Sequence, residues 1–305
     1  SDEAPWVEDL TGLKLSPHYG ATKLAWCLKH LPAVRRAQRV GRLAAGPLAS
    51  YIVAALLEGR PCLADPVNGA RTQLMDIRRG EWSEELCGLF GVPRGILPTA
   101  VPNRHPFGEL QVAGRRVPLA VVTGDQPAAL FADGEPRADT AYMNLGTGAF
   151  VQCVAQRRVP DLLQSLLWRD ATRSLYALEG TVNGAGSALD AVSAKLGFKP
   201  TAVMRALQGW LAAPEEPPLF LNGIGGLGAP YWRPRFRSRF MGRGEGSQRL
   251  TAVVESVPFL LMENLDRMQA AGLGLRRLRL SGGLAQLDGI CQRMADLSAL
   301  PVERP

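Results

Sequence analysis

Histidine is scarce in this sequence: His18, His30 and His105 are the only three in 305 residues, and they lie far apart. No metal-ligand spacing arises from them. The five cysteines (Cys27, Cys62, Cys87, Cys153, Cys291) are scattered singly with no C-x-x-C pair, which argues against a zinc site or a disulfide framework. A reducing, cytoplasmic setting fits that usage. No apolar run approaches the ~20 residues of a membrane span, and the opening "SDEAPWVEDL" lacks a signal-peptide profile. A Walker loop, G-x-x-x-x-G-K-[ST], is missing, and so is a G-x-S-x-G elbow. Any nucleotide would therefore be held by other means.

What is present is ordinary globular composition, 46% hydrophobic and 21% charged, with 33 glycines and 23 prolines. That suggests many ordered turns, in a chain long enough for two domains. The net charge of +7 comes mostly from arginines interspersed with acids, apart from short runs such as "RPRFRSRFMGR" (Arg233 to Arg243). A nucleic-acid surface would need such a patch within a recognisable binding module, and none is seen. A phosphate-bearing small molecule accounts for the cation excess as well.

Periodicity predicts a helix over "SPHYGATKLAWCLKHLP", with Leu24, Cys27, Leu28 and Leu31 on one face and Pro32 closing it. His30 near its end would be an exposed partner of the helix dipole. "PLASYIVAALLEGR" reads as a second helix, buried on a broad face and stopped by Gly59. "DPVNGARTQLMDIRRGEW" has no clean period and reads as a loop leading into a short helix. Ser83 caps the helix that follows, with Glu84 and Glu85 in its first turn. Strands are expected in "ELQVAGRRVPLAVVTGD" and in "TAYMNLGTGAFVQCVA", the latter turning tightly at Gly-Thr-Gly. Helices are expected at about 181–196, 201–212 and 248–272, then strand, glycine turn, helix and strand to the end. Recurring strand-turn-helix units predict an α/β fold, with a boundary near residue 135 and a surface loop at "PEEPP" (Pro214 to Pro218).

Several motifs admit two readings. "GIGGLG" (Gly223 to Gly228) satisfies G-x-G-x-x-G, but Pro230 and Pro234 block the helix that a dinucleotide site needs there. A glycine-rich loop packed beside another backbone is the better reading. The Gly146-Thr147-Gly148 turn is either a plain hairpin or a place where amides and a hydroxyl converge on an anion. In "LSGGLAQLDGI" a flat ring could lie on the side-chain-free backbone of Gly282 and Gly283. Asp125, where an apolar run ends before "PAALF", is either a helix cap or a catalytic base.

The order of these pieces is more specific than any one of them. "GDQ", then "GTG", "GLGAPYW" and "SGG", with "TGLKLSPHYGATKLAW", "NGARTQLMDIRRGEW", "YALEGTVNGAG" and the terminal "VERP", resembles the FGGY carbohydrate kinases, the glycerol kinases most closely, over nearly the whole chain. The resemblance implies an actin-like, ribonuclease-H-like fold of two domains closing on ATP and a sugar or polyol. The remainder of a substrate-binding domain would span 1–134, and a nucleotide-binding domain, truncated at its end, 135–305. Asp125 would be the general base, with Gln126 and His18 contacting substrate; His18 falls where the glycerol kinases carry a tyrosine. Gly146, Thr147 and Gly148 would cradle ATP phosphates, and Gly282, Gly283 and Leu287 would border adenosine. Leu287 stands where the family has an adenine-side asparagine. ATP and Mg2+ are the implied cofactors, and homodimers are common in the family. The family's first phosphate loop, which helps position magnesium, and its polyol-binding Arg-Glu pair would precede residue 1. Two other readings stay open: a catalytically silent sugar- or nucleotide-binding relative, and a different enzyme, such as a hydrolase, on the same scaffold.

Overall fold

A computed structural model describes residues 3–213 and 215–305. The chain divides into two units, one running to Glu135 together with Gln164–Ala177, the other comprising Pro136–Leu163 and Leu178–Pro305. The excursion of 164–177 into the first unit has no counterpart in the single boundary expected near residue 135. The "PEEPP" loop begins at Pro214, outside the described residues; Glu215–Pro218 have no regular structure.

In the first unit the helix over the "SPHYGATK" stretch is Gly20–His30. Pro32 does more than end it. Its fixed φ and missing N–H suit a helix start, and Pro32–Arg39 forms a second helix none of whose residues is buried. The helix Leu48–Leu56 corrects the expectation of broad burial: only Ser50 and Val53 are buried, while Leu48 and Tyr51 are each 72% exposed. Its one inward stripe meets Leu57 and Phe107, and Leu48, Tyr51, Ile52 and Leu56 are exposed among the described residues. Ser83 caps Glu84–Phe90 as its position predicts, Oγ accepting from Leu86 N at 3.1 Å. The "ELQVAGRRVPLAV" segment is a hairpin, Arg104–Val112 against Arg115–Val121. Ala113 and Gly114 both have positive φ at its turn.

The stretch that showed no period organises this unit. Its helix, Pro66–Ala70, comes first, and the two-residue strands Met75–Asp76 and Glu81–Trp82 follow as an antiparallel pair. Asp65 is the N-cap, Oδ1 accepting from Val67 N (3.1 Å) and Asn68 N (3.0 Å). Asn68 Nδ2 donates to Oδ2 at 2.8 Å, and Asn103 Nδ2 to Oδ1 at 3.2 Å. Downstream, Thr72 O accepts from Ala21 N at 2.7 Å, and Gln73 Nε2 donates to Lys14 O at 2.9 Å. Val67, Ala70 and Ile77 pack with Leu166 and Tyr176. The excursion is thus held by apolar burial, about 1.5–3 kcal/mol for each large side chain.

The second unit is built on strands in the order Val302–Glu303, Arg277–Ser281, Thr140–Leu145, Ala149–Val154. Arg277–Ser281 is parallel to Val302–Glu303 and to Thr140–Leu145, which is antiparallel to Ala149–Val154. Helices Gly186–Lys195, Pro200–Leu211, Gly246–Ala270 and Asp288–Ser298 match the expected segments. The longest starts with a capping box between Glu245 and Gln248 and turns Leu250, Val253, Val257, Leu261, Leu265 and Met268 into the core at helical spacing. "GIGGLG" is followed by no helix. Its carbonyls at Gly225 and Gly226 accept from Asn183 Nδ2, and a Cβ on Gly228 would lie 2.2 Å from Thr181 O. It is a loop packed against backbone.

Burial pushes the Asp65 carboxyl above its usual value, outweighing the donors around it, which act the other way. The native state then binds the proton more tightly than the unfolded chain. Stability from this group is fullest below the ordinary carboxylate value and is lost as pH rises through the raised one. Urea unfolding between pH 4 and 7 should show Asp65→Asn lacking a decline, at most about 1.4 kcal/mol per pH unit, that the parent shows. Parallel curves for the two proteins would contradict this.

Candidate active site

The second unit brings Gly186 and Gly282 against the Gly146–Gly148 turn. Strand Thr140–Leu145 ends at Gly146, and Gly146 N donates to Gly148 O at 2.9 Å to close the turn. The turn's carbonyls are taken by the start of helix Gly186–Lys195. Gly146 O accepts from Gly186 N (2.9 Å), and Thr147 O from Ser187 N (3.0 Å), Ala185 N (3.2 Å) and Ser187 Oγ (3.0 Å). In a trans peptide the N–H points opposite to the C=O. The amides of Thr147 and Gly148 therefore face away from that helix, and neither donates to any group among the described residues. These two adjacent N–H groups, beside the exposed Thr147, have the directions that could meet an anion.

Glycine is required around this turn by close approach. A Cβ on Gly186 would sit 2.9 Å from Gly146 O, and one on Gly148 3.1 Å from Val182 O. Gly282, with φ +94°, presses on the residue before the turn: its Cβ would be 2.6 Å from Leu145 O. Ser281 Oγ accepts from Asn144 Nδ2 and donates to Met143 O, both at 3.2 Å, tying the strand that ends before Gly282 to that of the turn. Gly283 differs from Gly282. It is exposed, and a Cβ there would meet nothing within 4 Å, leaving an open, side-chain-free surface. Leu287 is buried. It is 6% exposed and lies in the main core at the start of helix Asp288–Ser298, because the turn after Gln286 points it inward.

Asp125, Gln126 and His18 belong to the first unit, and all three are exposed. Gly124 is the N-cap of helix Asp125–Leu130, so Asp125 is not the cap but the first helical residue. Its Oδ1 accepts from Gln126 N at 2.7 Å, and that is its one hydrogen bond among the described residues. His18 stands in the turn before helix Gly20–His30, edge-on to Tyr19 at 5.5 Å. Both places rest on the segment after Asp65. A Cβ on Gly20 would be 3.1 Å from Thr72 Cα, and one on Gly124 3.6 Å from Val67 Cγ1.

Sequence reasoning assigned no site role to Asn144, Ser281 or the Ala185–Ser187 helix start. The signal for the last was legible: "NGAGSAL" places small residues where a strand passes into a helix. No group of three or more His, Cys, Asp or Glu among the described residues could hold a metal ion.

Comparison with known proteins decides the family. Residues 3–132 match the N-terminal domain model of the FGGY family of carbohydrate kinases, and residues 141–305 match its C-terminal domain model. The chain belongs to the FGGY family of carbohydrate kinases. It is 35% identical over 311 residues to glycerol kinase from Geobacter sp. strain M21, covering 98% of this chain and 62% of that protein. Glycerol kinase from Trichlorobacter lovleyi is 36% identical over 307 residues, covering 97% and 62%. Among solved structures, Plasmodium falciparum glycerol kinase with ADP superposes at a TM-score of 0.85 and 25% identity, over 99% of this chain and 62% of that one. A xylulose kinase from Rhodospirillum rubrum superposes at 0.83 and 20% identity, over 99% and 62%, a likeness of fold. This FGGY chain has the actin-like fold of those kinases and spans about 62% of the length of the curated relatives it matches.

The contrast between the two neighbouring glycines is testable. Gly282→Ala combines positive φ with a backbone clash and should cost about 2–4 kcal/mol in urea unfolding. Gly283→Ala should change stability by less than about 0.5 kcal/mol. Equal costs would contradict the geometry described.

Proposed function

We propose that this protein phosphorylates a hydroxyl of a sugar or polyol at the expense of ATP, a glycerol-kinase-like reaction. The observation that carries the reading is the pair of unpartnered amides at Thr147 and Gly148, beside the bare backbone of Gly283. Those donors suit phosphate oxygens, which accept charge-assisted bonds, and the open glycine surface suits a flat adenosine. In this reading Gly146 closes the cradle around the phosphates and Gly282 borders the adenosine with Gly283. Residues up to about 134 form the substrate-binding part in this reading, and those from 135 the nucleotide-binding part.

The Asp125 carboxylate takes the proton from the substrate hydroxyl as its oxygen attacks the γ-phosphorus and the bond to the β–γ bridging oxygen breaks. A carboxylate is adequate as base, because phosphoryl transfer depends chiefly on positioning and on neutralising charge. The exposed Gln126 amide hydrogen-bonds a neighbouring hydroxyl, and His18 presents an imidazole to another. Mg2+ would neutralise phosphate charge when it arrives with the nucleotide. The described side chains offer no carboxylate cluster to hold it on their own. The five free cysteines support a reducing, cytoplasmic setting. No helix among the described residues is long and apolar enough to cross a membrane. A homodimer fits the family's habit.

ADP release with Mg-ATP and a panel of polyols and ketoses tests the reading. Turnover should require one of those sugars and fall at least about 100-fold in Asp125→Asn. Hydrolysis of ATP indifferent to sugar would favour a hydrolase. Nucleotide binding with no turnover on any sugar would favour a silent relative.

A further inference from the structure

Asp125 has little to aim it. Its carboxylate is exposed and its one hydrogen bond is to the next residue's amide, so its direction is set by the backbone that delivers it. That backbone is held at two points. Val122 is gripped from both sides by Asn103: Val122 N donates to Asn103 O at 3.0 Å, and Asn103 Nδ2 donates to Val122 O at 2.8 Å. Gly124 abuts Val67, on the helix that Asp65 caps.

Asp65 joins the two points. Its Oδ1 accepts from Asn103 Nδ2 as well as from the amides of Val67 and Asn68. The rest of Asn103 is also committed, with Oδ1 accepting from Arg169 N at 2.8 Å and its own N donating to Arg169 O at 3.0 Å. Both side chains are buried, Asp65 at 1% and Asn103 at 0% exposure. A fully satisfied buried network of this kind rigidifies what it touches. Apolar residues could pack here but could not meet the helix amides, Arg169 N or Val122 O, so the polar atoms tie these backbone groups together. Fixing the strand end is what the polar atoms add.

We propose that Asp65 and Asn103 are positioning residues that fix the backbone on either side of Thr123, and through it the direction of the Asp125 carboxylate. The role in turnover rests on Asp125 being the base; the backbone restraint does not. Catalytic groups lose rate steeply when displaced by about 1 Å, on the order of 100-fold.

The test uses the full chain with Asn103→Ala and Asn103→Asp. The second keeps volume and the acceptor for Arg169 N, but turns an acceptor toward Asp65 and Val122 O. Leu86→Ala, at a buried helix position that shares no hydrogen bond with this network, is the control for general destabilisation. Amide hydrogen exchange at Val122 and Gln126 should accelerate at least about 10-fold in both Asn103 variants relative to that control at matched stability. Where the chain turns over, kcat should fall about 10–100-fold with the KM for ATP within about twofold. Unchanged exchange at both amides overturns the proposal, whether or not turnover is seen. Equal losses of kcat in Leu86→Ala also overturn it. Full activity in Asp125→Asn would instead remove Asp125 as the base, and the exchange result would still decide the restraint.

Discussion

A carboxylate taken out of water must be given donors, and in the first unit that requirement falls on Asp65. Four N–H groups meet it: two helix amides, the Asn68 amide group and the Asn103 amide group. Two of those donors start the Pro66–Ala70 helix, and a third links that helix to the strand end before Asp125. Burial still pushes the carboxyl upward, so the arrangement costs stability near neutral pH. What it supplies is definition. The turn bearing His18 leans on Thr72 and the turn bearing Asp125 on Val67, so both exposed groups are referred to one buried anchor.

The second unit solves a complementary problem without charge. An anion needs N–H groups that no other part of the protein is using. Here the helix start at Ala185–Ser187 spends its donors on the carbonyls of Gly146 and Thr147. Because each peptide is planar and trans, fixing the carbonyls on one side sets the next amides free on the other. The glycines at 148, 186 and 282 are what allow three backbone segments to come this close. One unit thus presents an exposed carboxylate and polar side chains, the other backbone donors that take no partner among the described residues.

Much of this was legible in the residues, and the exceptions have physical reasons. The helices of the second unit follow from their apolar spacing, and the tight turn from Gly-Thr-Gly. The prolines after "GIGGLG" ruled out a dinucleotide fold correctly, because a local steric rule decides that case. The helix Leu48–Leu56 misled because apolar content signals burial only where another element faces it, and periodicity cannot say what faces what. The resemblance puts Leu287 beside adenosine, and its apolar side chain packs in the core. The excursion of 164–177 into the first unit was invisible, since it depends on Leu166 and Tyr176 finding Val67 and Ile77 far away in sequence. Asp65 carried no periodic signal at all. Its importance lies in partners up to 38 residues distant, which only the fold brings together.

The most direct test of the account is a backbone amide chemical-shift map of the protein titrated first with Mg-ADP and then with a polyol. The nucleotide should move the amides of Thr147, Gly148 and Gly283 most, leaving Gln126 in place. The polyol should then move Gln126 and the residues around His18. Nucleotide-induced shifts absent from Thr147 and Gly148 would contradict the assignment of that turn as the phosphate cradle, and with it the reading of this chain as a kinase.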